Sequence, residues 1–93
     1  MNKTNSKVFV VVVMGYWGKS NTLKKAAENC MMEGARRREP AVAYQYTGDE
    51  DELKKITVSG GGDIHYPQTV TSTRLFGPSD DTAKTIGEII REK

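Results

Sequence analysis

The sequence has little of the residues that build covalent crosslinks, metal sites and membrane spans. Among its 93 residues there is one cysteine, Cys30, and one histidine, His65. One cysteine cannot form an intramolecular disulfide, which argues against the disulfide-stapled scaffolds common among small secreted domains. One histidine leaves no His-His or His-Cys cluster for zinc. The longest apolar run, residues 8–14, is far shorter than the roughly 18 residues of a membrane span, so we expect a cytoplasmic protein that does not bind a membrane.

Neither sign of charge dominates the whole chain, but the two halves differ. The net charge is +2. Residues 1–39 carry eight Lys or Arg and three Glu, whereas residues 40–93 carry six basic and nine acidic residues. This asymmetry predicts a basic face and an acidic face. A hydrophobic share of 37% is ordinary for a globular domain, so we expect one domain over residues 1–93, with residues 1–6 as a flexible N-terminus.

The first half of the chain predicts a strand, a loop and a helix. Residues 8–14 are all apolar and five of them are β-branched valines, which is typical of a buried strand. We expect Gly15-Tyr16-Trp17-Gly18-Lys19 to form the connecting loop. Ser20, Asn21 or Thr22 can then cap a helix that ends at Gly34. Apolar residues recur along that helix at helical spacing, namely Leu23, Ala26, Ala27, Cys30 and Met31.

The second half predicts more strands and a final helix. Alternating or β-branched segments favour strands at residues 41–47, 54–59, 64–66 and 69–76. Turns are expected at residues 48–52 and 60–62, and Ser79 is expected to cap the last helix, followed by Asp80 and Asp81. The order β-α-β-β-β(β)-α predicts an α+β fold, with a mostly antiparallel sheet and two helices on one face. The other face should be largely polar and carry Gln45, Lys55, Thr71 and Thr73.

No motif in the chain predicts catalysis or a cofactor. Gly18-Lys19-Ser20 between a strand and a helix resembles the end of a phosphate-binding loop, but the required earlier glycine is replaced by Val13. Simple anion binding by Lys19 at the helix N-terminus stays open. The acidic run at residues 49–52 lacks the spacing of a calcium loop and favours a solvated turn. We therefore expect no enzyme, no metal and no cofactor.

Aromatic and basic side chains are the candidates for binding a partner. Tyr16, Trp17 and Lys19 combine the residue types of protein hot spots and base-stacking surfaces. The arginine run can pair with phosphate or carboxylate groups, and two helix lysines can extend a basic strip towards it. The full candidate set is Tyr16, Trp17, Lys19, Lys24, Lys25, Arg36, Arg37 and Arg38. The alternatives are that Trp17 covers the helix start near Leu23, that Lys24 pairs with Glu28, and that the arginines form a solvated loop.

Residues 10–34 also resemble a pattern found in small phage and prophage accessory proteins of unassigned function. The resemblance covers about a quarter of the chain. It rests on the apolar strand, Gly15-Tyr16-Trp17-Gly18-Lys19, Thr22-Leu23, Ala26-Ala27, Asn29 and Gly34. It implies a phage-encoded protein that binds a host macromolecule, such as an inhibitor of host defence of the anti-CRISPR type, and it supplies no functional residue.

These observations together predict a non-enzymatic binding protein that blocks a host protein or a ribonucleoprotein complex. Two other functions remain open at this point. The basic half could bind nucleic acid directly, and this would require affinity that falls steeply with salt. Alternatively, an exposed sheet edge could serve a structural or assembly role in a homo-oligomer.

Overall fold

The computed structural model describes residues 5–13, 15–59, 63–77 and 83–91, and it has the α+β fold that the sequence predicts. Its sheet is mostly antiparallel. In chain order the elements are β1 (Asn5–Val13), β2 (Tyr16–Ser20), α1 (Leu23–Glu33), β3 (Pro40–Asp49), α2 (Glu50–Leu53), β4 (Thr57–Val58), β5 (Ile64–His65), β6 (Thr71–Phe76), β7 (Lys84–Thr85) and α3 (Ile86–Arg91).

The main sheet has the strand order β2-β1-β3-β6, and β7 pairs with the start of β3. The predicted loop after the first strand is wrong, because Tyr16–Ser20 is the edge strand β2, antiparallel to β1. Gly15 lies in the reversal between the two strands with φ +89°, a conformation that glycine adopts without steric cost. β4 and β5 form a separate two-stranded sheet.

Helix α1 forms as the apolar spacing predicts. Thr22 is the N-cap, and its Oγ1 accepts a hydrogen bond from the Lys25 amide at 3.1 Å. Gly34 is the C-cap with φ +135°, and its amide donates to the Met31 carbonyl at 2.9 Å. The helix lies directly over β2, since a Cβ added at Gly18 would be 2.5 Å from the Cys30 amide nitrogen.

One face of the sheet packs against α1 and α3, as predicted for the two main helices. The strands contribute valine, alanine and phenylalanine to this core, and the helices contribute alanine, Cys30 and isoleucine. Its buried members are Val11, Val13, Ala26, Ala27, Cys30, Ala35, Ala41, Ala43, Phe76, Ile86 and Ile89. Small side chains dominate on α1 and β3, which lets the helix approach the sheet closely.

The opposite face of the sheet is covered as well, so the predicted open polar face is wrong. A second core forms where α2, β4 and β5 fold back across β1 and β3, and its buried members are Val10, Tyr46, Leu53, Ile56 and Val70. Gln45 pairs with Phe9 and with Thr73, which places it on the helix face. Thr71 shares that face through its pairing with Thr47, and Lys55 lies outside the sheet.

Several predicted boundaries are corrected by the structure. Asn5 and Ser6 pair with β3, so they do not belong to a flexible N-terminus. The predicted acidic turn contains the one-turn helix α2, and the strand predicted at residues 54–59 is reduced to β4. None of the helices in the described ranges is long and apolar enough to cross a membrane.

The last helix begins later than predicted, at Ile86. Thr85 Oγ1 accepts the Glu88 amide at 3.2 Å, and Glu88 Oε1 accepts the Thr85 amide at 2.9 Å. This reciprocal pair is a capping box, which fixes the start of the helix. The predicted turn at residues 60–62 and the predicted cap at Ser79, with Asp80 and Asp81, lie outside the described residues.

Candidate functional site

Tyr16 and Trp17 are consecutive residues of β2 and therefore point to opposite faces of the sheet. Tyr16 pairs with Val13 on the α1 side, where its ring lies against the helix C-cap: a Cβ added at Gly34 would be 2.6 Å from Tyr16 Cε1. Trp17 pairs with Val12 on the other side. The two rings therefore cannot serve one contact surface.

The alternative position for Trp17, folded over the start of α1, is also wrong. Leu23 packs against the core on the helix side of the sheet. Trp17 lies on the far side, half-buried beside Val12 at the edge of the sheet. Gly18, the next residue of β2, faces α1, so the indole of Trp17 lies on the opposite face of the sheet from the helix.

Lys19 also points away from α1. Its Nζ donates a hydrogen bond to the Ile56 carbonyl at 3.3 Å, on the face that α2 covers. There it lines a hollow of about 300 Å³ together with Lys54 and Glu50. Lys19 therefore does not contribute to the anion site considered at the N-terminus of α1, and Thr22 already caps that terminus.

The basic residues of the first half do not form the predicted continuous strip. Lys24 and Lys25 are exposed in the first turn of α1, whereas the three arginines follow its C-cap. Residues 26–33 of the helix, a length of about 12 Å, lie between the two groups. The predicted ion pair between Lys24 and Glu28 is absent from the described side chains.

Arg37 and Arg38 meet a third arginine, Arg91, in an open groove of about 480 Å³ between the loop after α1 and helix α3. Two backbone hydrogen bonds hold the groove together. The Gly87 amide donates to the Arg37 carbonyl at 2.8 Å, and the Ile86 amide donates to the Glu39 carbonyl at 3.1 Å. A Cβ added at Gly87 would lie 3.3 Å from the Arg37 carbonyl oxygen, so glycine permits this close approach.

Among the described residues, three guanidinium groups and one carboxylate, that of Glu88, line the groove, so this lining is electropositive. Hydrogen bonds from the Thr85 amide and hydroxyl lower the pKa of Glu88, with a smaller contribution from Arg91. Arg91 Nε donates to the Gly87 carbonyl at 3.4 Å. Within the described part of the chain, the guanidinium groups of Arg37 and Arg38 have no hydrogen bond or ion pair. Their donors are therefore available to a bound anion.

Arg36 belongs to the same loop but not to the lining of the groove. Its backbone amide donates to Glu39 Oε1 at 2.8 Å, and the Glu39 amide donates to the Arg36 carbonyl at 3.1 Å. This turn shapes the loop that presents the next two arginines.

An apolar hollow of about 270 Å³ adjoins the arginine groove. It lies between α1 and α3 and is lined by Met31, Met32, Ile90, Glu28 and Arg37. Met32 is 81% exposed, by far the most exposed large apolar side chain of the described residues. Because Arg37 lines both depressions, the charged and the apolar contact areas are continuous. We call this combined area the α1–α3 surface.

The remaining chemistry-bearing residues are placed away from this surface or are unreactive. Burial raises the pKa of the Cys30 thiol to about 11, so it is protonated at neutral pH. His65 is exposed on β5. Among the described residues no group of three His, Cys, Asp or Glu side chains could hold a metal ion.

Sequence reasoning found two of the three arginines and missed Arg91 and the methionines. The Thr85-x-x-Glu88 capping box is a local signal for the start of α3, and it places Arg91 in the last turn of that helix. The position of Arg91 beside the loop after α1 depends on tertiary packing, for which the sequence carries no local signal. Met32 follows the apolar stripe of α1 by one position, so its spacing predicts an exposed side chain. An exposed methionine beside arginines was the signal for a contact surface.

Comparison of the chain with protein-family models, with curated proteins and with solved structures gives no match.

Proposed function

We propose that this protein is a non-catalytic binding protein that captures an acidic partner protein through the α1–α3 surface. The observation that carries the proposal is the position of Arg37, which lines both the arginine groove and the methionine hollow. A partner that places carboxylates against Arg37, Arg38 and Arg91 can therefore insert an apolar side chain beside Met32 in the same contact.

The residue types on this surface favour a protein partner. Arginine and methionine are enriched at protein interfaces, and an unbranched methionine adapts to an apolar side chain of irregular shape. Planar guanidinium groups bind carboxylates through paired hydrogen bonds. The exposed apolar area gives the contact a component that salt does not screen.

A nucleic-acid partner is less well supported by the same surface. Phosphate backbones require several cations along one path, and Lys24 and Lys25 lie at the other end of α1. Glu28 and Glu88 line the two depressions, where a phosphate chain would meet them. A protein partner can avoid both glutamates, because its carboxylates need not follow a continuous path as backbone phosphates do.

Assembly through the edge strand β2 is disfavoured by the position of α1. The helix lies directly over Gly18 of this strand. Pairing two β2 edges would bring the two copies of α1 to roughly 5 Å, the strand spacing, whereas packed helices need about 8–10 Å between axes. The binding role is therefore the better candidate.

The proposed mode of action is occlusion. A 93-residue protein that covers an acidic functional surface of its partner blocks access to it without chemistry. The resemblance to small phage proteins implies that the partner belongs to a bacterial host, in the cytoplasm, and that the role is inhibition of host defence. One buried cysteine with a high pKa suits a reducing compartment.

The test is capture from a host lysate with charge-reversed variants, with and without nuclease. We expect Arg37→Glu with Arg38→Glu to reduce capture of a discrete protein at least tenfold. The matched control is Lys24→Glu with Lys25→Glu, which makes the same charge change on exposed residues at the other end of α1.

The outcomes separate the candidate functions. Equal loss in both double variants would mean that net charge alone drives binding. Capture that disappears after nuclease treatment would replace the protein partner with a nucleic acid. Unchanged capture in the arginine variant would refute the α1–α3 surface as the site, provided that circular dichroism shows the variant folded.

A further inference from the structure

A cluster of three tyrosines lies on the opposite side of the sheet from α1. Tyr44 and Tyr46 are alternate residues of β3 and share a face, and Tyr66 follows β5. The ring centroids of Tyr46 and Tyr66 are 5.0 Å apart, and those of Tyr44 and Tyr46 are 6.2 Å apart. Tyr46 is buried, whereas Tyr66 is 43% exposed, so the cluster runs from the core to the surface.

The three rings line one hollow of about 240 Å³ together with Asp63, Ile64 and Ser72. The Tyr46 hydroxyl is hydrogen-bonded to Ser72, and burial raises the pKa of Tyr46. Tyr46 is 1% exposed, so the rings of Tyr44 and Tyr66 are the ones that a ligand in the hollow can contact. Asp63 supplies the one charged side chain of the lining, and within the described residues its carboxylate has no hydrogen bond or ion pair.

Arg74 is the cationic residue that pairs with Tyr44 across β3 and β6, but it does not line this hollow. It takes part in an interaction of its own. The lining that the described residues provide thus combines three aromatic rings with one carboxylate and holds no cation.

We propose that the tyrosine hollow binds a methylated ammonium group. A cation held within about 6 Å of an aromatic centroid is attracted by the negative ring face, and several rings around one cation form an aromatic cage. Methylation removes the N–H donors of an ammonium group, so the group loses little hydration when it enters an aromatic hollow. The Asp63 carboxylate at the rim neutralises the charge without requiring a hydrogen-bond donor.

The hollow is distinct from the α1–α3 surface, which lies on the other face of the sheet and takes anionic groups. The two proposals can therefore fail independently. A methylated ammonium can come from a free quaternary amine such as choline or from a trimethylated lysine of a peptide, and the same cage chemistry serves both.

The test uses a charged and a neutral ligand of the same shape. Choline and its uncharged isostere 3,3-dimethylbutan-1-ol are titrated against the whole protein, and the tyrosine ring signals are followed by NMR. A short peptide containing trimethyl-lysine, with its unmethylated form, is the second arm. We expect choline or the methylated peptide to shift the Tyr44 and Tyr66 signals, and the isostere to shift them at least fivefold less at equal concentration.

Three variants locate the site. Tyr66→Ala should weaken binding at least fivefold, whereas Tyr66→Phe, which keeps the ring, should bind within twofold of the original chain. Tyr16→Ala is the matched control, because Tyr16 is similarly exposed, at 40%, on the other face. Asp63→Asn should weaken binding of the cation and leave any binding of the isostere unchanged.

The results test the proposal and distinguish the two sources of the methylated ammonium group. Equal shifts by choline and the isostere, or no shift by either cation at concentrations that saturate ordinary aromatic cages, would overturn it. Binding of the methylated peptide alone would support a peptide ligand, and equal binding of choline would support a free quaternary amine. Loss of binding in Tyr16→Ala but not in Tyr66→Ala would also overturn the assignment.

Discussion

Replacing Gly18 by alanine should separate helix α1 from the sheet. A Cβ at this position would meet the Ala26 carbonyl oxygen, the Cys30 amide nitrogen at 2.5 Å and Asn29 Cβ at 2.9 Å. Two of these atoms belong to the helix backbone, so no side-chain rotation relieves the clash. Since ordinary contact begins at about 3.4 Å, the helix must retreat by about 0.9 Å near Cys30.

That displacement is costly because the helix residues that face the sheet are small and fully buried. Ala26, Ala27 and Cys30 have no exposed surface, and a radial gap of roughly 1 Å forfeits a quarter to a half of each dispersion contact. Overpacking of a core typically costs about 1–3 kcal/mol, and we expect the upper end, ~3 kcal/mol. In a domain of this size, such a loss lowers the melting temperature by roughly 12–24 °C.

The measurement is urea unfolding and thermal melting followed by far-UV circular dichroism. The matched control is Gly48→Ala in β3, where an added Cβ would lie 3.4 Å from Val70 Cγ2, an ordinary contact. We expect this control to change the free energy of unfolding by less than about 1 kcal/mol. A Gly18→Ala protein within about 1 kcal/mol of the original would refute the close approach of α1 to β2.

The stability of the fold should depend on pH through two groups, the buried thiol of Cys30 and the carboxylate of Glu88 in the capping box. The pKa of Cys30 is raised from 9.0 to about 11 in the folded state, so the contribution of its thiol to stability is present below pH 9 and is lost as the pH rises towards 11. Urea unfolding at pH 7, 9 and 10.5 should show a decline, ~2 kcal/mol, that the Cys30→Ala variant lacks; parallel curves would contradict it. The pKa of Glu88 is lowered by its hydrogen bonds to Thr85, so its contribution is present above the ordinary glutamate pKa of about 4.3 and is lost as the pH falls below it. Between pH 6 and about pH 3.5, the melting temperature should decrease less for Glu88→Gln than for the original chain. Equal decreases would show that the capping box does not cause this pH dependence.

The parts of the fold that were predicted correctly are those determined by local signals. Helix α1 carries its apolar stripe, its threonine cap and its glycine C-cap within thirteen consecutive positions, so nothing distant was needed to place it. Strand β3 is identified by its alternation, which extends in the structure to Pro40–Asp49. The start of α3 also had a local signal, the Thr85-x-x-Glu88 capping box, but Ser79 with its two aspartates gave a competing signal earlier in the chain.

Strand β2 illustrates why the rest could not be predicted. Glycines on both sides of Tyr16 and Trp17 are typical of a loop, and five residues are too few for a period to be recognised. Pairing with β1 and the overlying helix determine the conformation instead, and both involve residues outside the segment. The consequence for the candidate site was large, because a strand sends adjacent side chains to opposite faces.

By itself, the sequence determined the α+β class, the first helix with its caps and the exposure of the arginine run, because periodicity, capping and charge act between residues close in the chain. Only the tertiary structure decided that the sheet is covered on both faces, that Arg91 joins Arg37 and Arg38, and that three tyrosines line one hollow. These features depend on register and on the return of distant segments. They are set by the burial of apolar surface across the whole fold, which no short window of sequence records.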